Sequence, residues 1–285
     1  MSERRFAVTL VTCEDVPLLS PGDRILQQQL ESLGASVRVA IWTDRDVDWS
    51  ASSLTVIRST WDACKRFLEF ESWLRRVESQ TRICNPAEKI LWNLEKHYLL
   101  DLQKRGIEII PTVYFQAKSD VSVKPIDPGW SEVVVKPSIG ASSFAVRRFS
   151  IPRELSPLQD HLSVILDRTG ALVQRFENTV NTLAERSLVF IGGEYSHSVR
   201  RIPFNTGDTP DSPEFDHDAD EAEIAFATRV LTAADCTKLV FARVDIVPGS
   251  TGFLLMELEL IEPALFLTRS SAAPRKLAST IAAML

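Results

Sequence analysis

No apolar run in this 285-residue sequence approaches the roughly 20 consecutive residues that a membrane-spanning helix needs. Its four cysteines, Cys13, Cys64, Cys84 and Cys236, contain no CxxC pair. That spacing draws neither a zinc site nor a disulfide framework, and it suits a reduced, cytoplasmic interior. The four histidines are equally scattered. No Ser-His-Asp or Cys-His arrangement points to nucleophilic catalysis. GxGxxG does not follow the first apolar stretch, so the glycines that cradle a dinucleotide's pyrophosphate are missing. GxxxxGK[ST] is absent too, which removes the P-loop. Positive charge is in short supply: 32 lysines and arginines face 38 acidic residues, a net charge of −6. The basic residues are spread out or paired, as in Arg75-Arg76 and Arg200-Arg201, which offers nucleic acid no broad patch.

What remains is an ordinary globular composition, 45% hydrophobic and 25% charged, in a chain long enough for two or three subdomains. Residues 1–85 alternate strand and helix patterns. The N-terminus lacks a signal-peptide cleavage pattern, and Phe6–Thr12 reads as a strand. Asp23–Leu33 reads as a helix that Gly34 stops, Ser36–Trp42 and Leu54–Arg58 as strands, and Phe67–Ser79 as an amphipathic helix. This rhythm predicts a small parallel sheet with helices packed on it. Ligands of such sheets gather at the carboxyl ends of strands. Arg58, Ser59, Thr60, Trp61 and Asp62 follow the third strand and are therefore substrate candidates. Arg58 offers a fork for a carboxylate, Asp62 a partner for an amino group and Trp61 a wall. The alternative is that Asp62 caps the next helix and Trp61 packs.

Asn85-Pro86 marks a boundary. Ala87–Arg105 reads as a helical stretch containing Lys96, and Ile107–Phe115 as a strand broken by Pro111. Val133–Val135 is an apolar strand that runs into Lys136-Pro137. The small-residue loop Ser138–Ser143 follows, and strand character resumes over Phe144–Val146. Backbone N–H groups of such a loop can cradle an anion, although an ordinary hairpin loop has the same composition. Ala171–Phe176 is a further strand. Glu185–Phe190 and Glu194–Arg201 form a hairpin about Gly192-Gly193. Phe204–Asp220 reads as a mobile acidic loop, and Asp220–Asp235 as a helix.

The densest chemistry lies in Ala242–Phe266, two strands joined by a turn at Pro248–Gly252. Side chains alternate along a strand, so Arg243 shares a face with Asp245, and Glu257 with Glu259. Paired as a hairpin, the strands bring three carboxylates and one guanidinium together. A solvated polar face is the plain alternative. Three like charges at this spacing repel and call for a cation, and hard oxygen donors suit Mg²⁺ shared with phosphates.

The order of these motifs resembles the ATP-grasp superfamily: Lys96, VVVKP with its loop, LVQRF, a Glu185…Gly193-Glu194 hairpin, ARVD and ELELIEP. The resemblance covers residues 86–285, and RSTWD with WNLEKHYLL brings it nearer the O-ureidoserine cyclase of cycloserine biosynthesis and its relatives. It implies an α/β chain, α+β in the C-terminal half. A Rossmann-like pre-ATP-grasp domain over 1–85 would precede a central subdomain over 86–175 and a C-terminal subdomain with the metal site over 176–285. Lys96 and Lys136 would bind ATP phosphates, with Ser142 and Ser143 in the covering loop. Gln174, Arg175 and Phe176 would form the hinge that reads adenine, and Glu185 would hold ribose. Arg243 and Arg200 would face the acyl phosphate. Asp245, Glu257 and Glu259 would bind one or two Mg²⁺ ions, with Mn²⁺ as a substitute. Glu259 stands where many members have asparagine, which adds a negative charge beside the triphosphate.

The implied chemistry is activation of a carboxylate as an acyl phosphate, followed by attack of an amine. The resemblance leaves three readings: an ATP-dependent ligase acting on a small amino-acid-like substrate, a cyclo-ligase closing a small ring such as cycloserine, or an ATP-binding module without turnover. A homodimer is compatible with each. Neither nucleic acid nor membrane is an expected partner.

Overall fold

The computed structural model describes residues 5–141, 144–202 and 214–285. Ser142, Ser143 and residues 203–213 of the acidic stretch lie outside the described residues. Among the described residues no helix is long and apolar enough to cross a membrane.

The chain builds three sheets. The first unit contains β1 (Phe6–Thr12), α1 (Pro21–Ser32), β2 (Val37–Ile41), β3 (Ser52–Ser59), α2 (Phe67–Glu78) and β4 (Arg82–Cys84). Its strands run parallel in the order β2-β1-β3-β4. Ser20 caps α1 by accepting from the Asp23 N–H at 3.2 Å, with Pro21 set in the first turn. Trp42, Trp49, Phe70 and Trp73 pack edge-on and tilted at centroid distances of 5.2 to 6.0 Å, which fixes α2 against the sheet.

The second unit contains α3 (Ala87–Leu94), α4 (Tyr98–Lys104), β5 (Thr112–Phe115), β6 (Glu132–Pro137), β7 (Arg147–Ser150), α5 (Leu155–Leu166) and β8 (Ala171–Arg175). Its antiparallel sheet has the order β5-β8-β6-β7, and Leu158, Leu162 and Ile165 of α5 cover Val133, Val135 and Phe149. Two sequence expectations are corrected here. The helical stretch is broken over 95–97, so Lys96 lies between α3 and α4 and not within a helix. There the Lys96 N–H donates to the Ser138 carbonyl at 2.7 Å, and Glu95 accepts from the Tyr114 and Ser138 hydroxyls at 2.7 and 3.0 Å. These bonds compete with the helix ladder. Strand character resumes at Arg147, after a turn in which Ala145 has φ +56°. Pro111 separates two pairings: residues 108–110 bond to Leu255 of the third sheet, and Thr112 opens β5.

The third unit contains α6 (Thr179–Leu183), β9 (Glu185–Ile191), β10 (Glu194–Arg201), β11 (Glu214–His217), α7 (Glu221–Ala233), β12 (Phe241–Pro248), β13 (Phe253–Glu259) and α8 (Ala273–Ala282). Glu214–His217, expected within a mobile loop, forms the edge strand of the order β11-β10-β9-β12-β13. Gly192 and Gly193 turn the β9–β10 hairpin with φ of +63° and +82°. A Cβ on Gly193 would stand 2.0 Å from the Thr237 carbonyl oxygen, so no other residue fits. One face of this sheet packs Leu188, Val244 and Leu258 against Leu99 of α4 and Val230 of α7. The other face is divided. Val189, Ile191, Val199 and Phe241 meet the first unit and α8, whose Leu277 and Ile281 also pack near Leu26 and Leu30 of α1. Each such leucine contributes roughly 1.5–3 kcal/mol of burial. The remaining part of that face carries charge.

Candidate active site

The β12–β13 register sets Arg243 opposite Glu259 and Asp245 opposite Glu257, with a shift after Asp245. Cross-strand neighbours on one face lie within side-chain reach. Oxygens of Asp245, Glu257 and Glu259 lie within 4.8 Å of one another. Arg243 is buried among them: its Nη2 is 2.9 Å from Asp245 Oδ2 and 2.6 Å from Glu259 Oε1, and its Nη1 donates to the Ala264 carbonyl at 3.1 Å.

Two lysines reach the cluster from the second unit. Lys136, at the end of β6, places Nζ 2.8 Å from Glu257 Oε1. Lys96 Nζ lies 3.9 Å from the same oxygen and donates to the Gly140 carbonyl at 2.6 Å, which ties it to the small-residue loop. A fourth cation is Arg201. Its Nη2 is 3.2 Å from Asp245 Oδ2 and bonds Glu185, and its Nε donates to Ser187 Oγ at 3.1 Å. Four buried or half-buried carboxylates thus face four cations.

Electrostatics separates the acids. Burial pushes Glu185 up to about 7, with Arg201 opposing. Burial also raises Glu259, although Arg243 pulls it back. Burial acts on Glu257 as well, but Lys136 and Lys96 outweigh it and hold that carboxyl well below the usual range. Arg243 and Arg201 are raised: desolvation opposes their charge, and Asp245 with Glu259 in the first case and Glu185 in the second overcomes it. A mutually repelling set of hard oxygen donors is the chemistry that Mg²⁺ or Mn²⁺ favours.

Arg200 is a correction. It is exposed on the opposite face of β10, and Arg201 occupies the position expected of it. The hairpin turn pairs Ile191 with Glu194, a register that carried through would set Arg200 against Glu185. A shift between Tyr195 and His197 moves the pairing by one residue, so Arg201 faces Glu185. Such a slip exchanges the two faces of a strand.

At the end of β8, Gln174 is buried and its Nε2 donates to Thr112 Oγ1 at 2.9 Å. Arg175 is exposed and pairs with Glu177 at 2.6 Å. Phe176 is buried beneath the Arg148 guanidinium, 3.5 Å from its ring centre. The N–H groups of Arg175 and Phe176 bond to the carbonyls of Pro111 and Glu132.

The substrate expectation at 58–62 is also corrected. Arg58 is buried and holds Asp23 at 2.8 Å, stacks over Phe241 and donates to the Pro263 carbonyl. Ser59 donates to Asp23, Asp62 accepts from Trp42, and Trp61 reaches the Glu262 carbonyl. Arg58 and Trp61 thus tie the first unit to the third, Ser59 and Asp62 bond within the first, and Ala63 and Cys64 line the adjoining cleft. Arg58→Ala should lower the unfolding free energy by about 3–5 kcal/mol, because Asp23 stays buried without its partner. Denaturant titration measures it; a small loss with a selective rise in substrate KM would restore the gripping role.

That cleft borders Glu257, Glu259, Lys96 and Gly140. Glu262 also lines it, with its carboxyl pushed up to about 8 by burial and then by Glu259. Sequence reasoning missed Glu262 because it breaks the two-residue alternation that marked Glu257 and Glu259.

A family profile described as the N-terminal domain of D-cycloserine synthetase DcsG matches residues 8–85. The cycloserine biosynthesis protein DcsG of Streptomyces lavendulae is 33% identical over 275 residues, 90% of this chain and 91% of that protein. The crystal structure of D-cycloserine synthetase DcsG superposes with a TM-score of 0.89 at 29% identity, covering 98% of this chain and 100% of the other. The D-alanine–D-alanine ligase of Bacillus anthracis complexed with ATP shares the fold, with a TM-score of 0.69, 13% identity, and 98% and 97% covered. The chain therefore has the ATP-grasp fold and belongs to the family of the cycloserine biosynthesis protein DcsG.

Proposed function

We propose that this enzyme uses ATP and Mg²⁺ to activate the carboxylate of a small amino-acid-like substrate as an acyl phosphate, which an amine then displaces. The observation that carries this reading is the convergence of Lys96, Lys136, Arg201 and Arg243, from two units, on Asp245, Glu257 and Glu259. In the first step a substrate carboxylate oxygen attacks the γ-phosphorus and ADP leaves. In the second the amine nitrogen attacks the acyl carbon, phosphate leaves with that oxygen, and the amine gives up a proton. Little covalent work falls to the protein, so positioning and charge dominate.

Lys136 and Lys96 exchange carboxylate for phosphate contacts when nucleotide enters. Arg243 steadies the acyl phosphate, and Arg201 holds Asp245 and Glu185 in place. Glu185 is the carboxylate that would hold the ribose. Since the Arg175 and Phe176 N–H groups are engaged, an adenine edge there would meet carbonyls or the residues that follow. Asp245, Glu257 and Glu259 are the ligands for Mg²⁺, which when bound neutralises triphosphate charge. A binding module without turnover would not need this full set.

The second reading, an intramolecular ligation that closes a small ring, is favoured by the likeness to DcsG over nearly the whole chain. A panel of amino acids and their derivatives, O-ureidoserine included, tests both: release of ADP and phosphate on addition identifies the substrate, and product mass separates a joined from a cyclised product. No release with any member of the panel rejects the ligase reading for this class of substrate.

Nucleotide binding has its own check. Mg-ATP should raise the melting temperature by the linkage of binding to folding, and Lys136→Met should remove most of that rise. Equal rises in both proteins would take Lys136 out of the phosphate site.

A further inference from the structure

Hydrogen bonding along the cleft is nearly complete. Asn93 Nδ2 donates to the Leu258 carbonyl at 2.8 Å, and its Oδ1 accepts from the Leu260 N–H at 2.9 Å. The Tyr98 hydroxyl accepts from the Leu258 N–H at 3.0 Å. Lys96 is committed to Gly140. Glu262 differs: its Oε2 is buried and, among the described residues, has no hydrogen-bond partner. Leaving such an atom unpaired costs free energy that a cationic N–H donor would recover.

The backbone beneath Glu262 is fixed from the first unit. Trp61 Nε1 donates to the Glu262 carbonyl at 3.2 Å, and Arg58 Nη2 donates to the Pro263 carbonyl at 2.8 Å. Asp23 locks Arg58 in turn. Arg58 and Trp61 therefore hold an acid in the cleft without lining it themselves. Glu262 borders the same cleft as Glu257 and Glu259, so a molecule that spans from it to the phosphoryl-transfer end is short.

We propose that Glu262 anchors the ammonium group of a small α-amino-acid-like substrate, with Trp61 and Arg58 as positioning residues behind it. This rests on the ligase reading for the place of the substrate's carboxylate. Cys64 and Phe70 wall the side-chain end.

Calorimetry with a non-hydrolysable ATP analogue and Mg²⁺ present tests the anchor apart from turnover. The probes are D- and L-alanine, and lactate, which carries hydroxyl in place of ammonium. One alanine enantiomer should bind the unaltered enzyme ~10- to 100-fold more tightly than lactate, as a charged hydrogen bond implies. Glu262→Gln should erase that preference and leave the affinity for the ATP analogue unchanged. Glu262→Asp, which keeps the charge one methylene back, should retain part of it. Equal binding of alanine and lactate by the unaltered enzyme overturns the proposal, as does a preference that survives in Glu262→Gln. Failure of the ligase reading shows separately, as no ADP release from the amino-acid panel.

Discussion

Asp245→Asn and Glu257→Gln should each lower turnover by ~10²–10³-fold, the scale lost when a preorganised charge aimed at a transition state is removed. Both side chains point into the carboxylate cluster and not into the apolar core, so the fold should persist. Stability without nucleotide should separate the acids by sign. Glu257 is held below its unfolded value, so its ionised form stabilises the fold above the unfolded pKa and that contribution fades as pH falls. Glu257→Gln should therefore lower the melting temperature at neutral pH. Glu259 is raised, so its contribution is present at low pH and is lost as pH climbs past the unfolded value. Glu259→Gln should leave the melting temperature level or raise it. Rates at limiting Mg²⁺ beside melting curves measure both effects; full activity in both of the first two variants would sink the metal assignment.

The carboxylates were legible because each strand keeps its alternation across the residues that matter. Arg243 and Asp245 are two apart on β12, Glu257 and Glu259 two apart on β13, and the irregularity in their pairing falls beyond them. The parallel unit was legible because glycine stops and apolar periodicity are local signals. What failed depended on distant partners. Lys96 leaves its helix because Glu95, Ser138 and Tyr114, far apart in sequence, bond one another. Arg58 matched a rule about strand ends, but Asp23, 35 residues away, and Pro263, 205 away, had already claimed it. Glu214–His217 looks like loop from composition and becomes a strand only because β10 offers an edge.

Arg201→Met should cut kcat/KM for ATP by ~10²–10³-fold, and Arg200→Met should change it by no more than ~3-fold, since surface substitutions away from a site stay within about 0.5 kcal/mol. The two residues are neighbours of identical chemistry, so only their faces differ. Arg201 bridges Glu185 and Asp245 from a mostly buried position, and losing it leaves those two carboxylates repelling each other in the cluster with Glu257 and Glu259. Arg200 is exposed opposite Phe215 of the edge strand. Arg201→Lys should fall between the two, because lysine keeps the charge but not the fork that holds two acids at once. The decisive comparison is steady-state kinetics on all three variants at saturating Mg²⁺. Equal losses at 200 and 201 would mean the arginine pair acts through general surface charge. A larger loss at 200 would mean that the β10 register differs from the one in which Tyr195–His197 shifts the pairing. In either case the face that Asp245 shares with β10 would have to be redrawn.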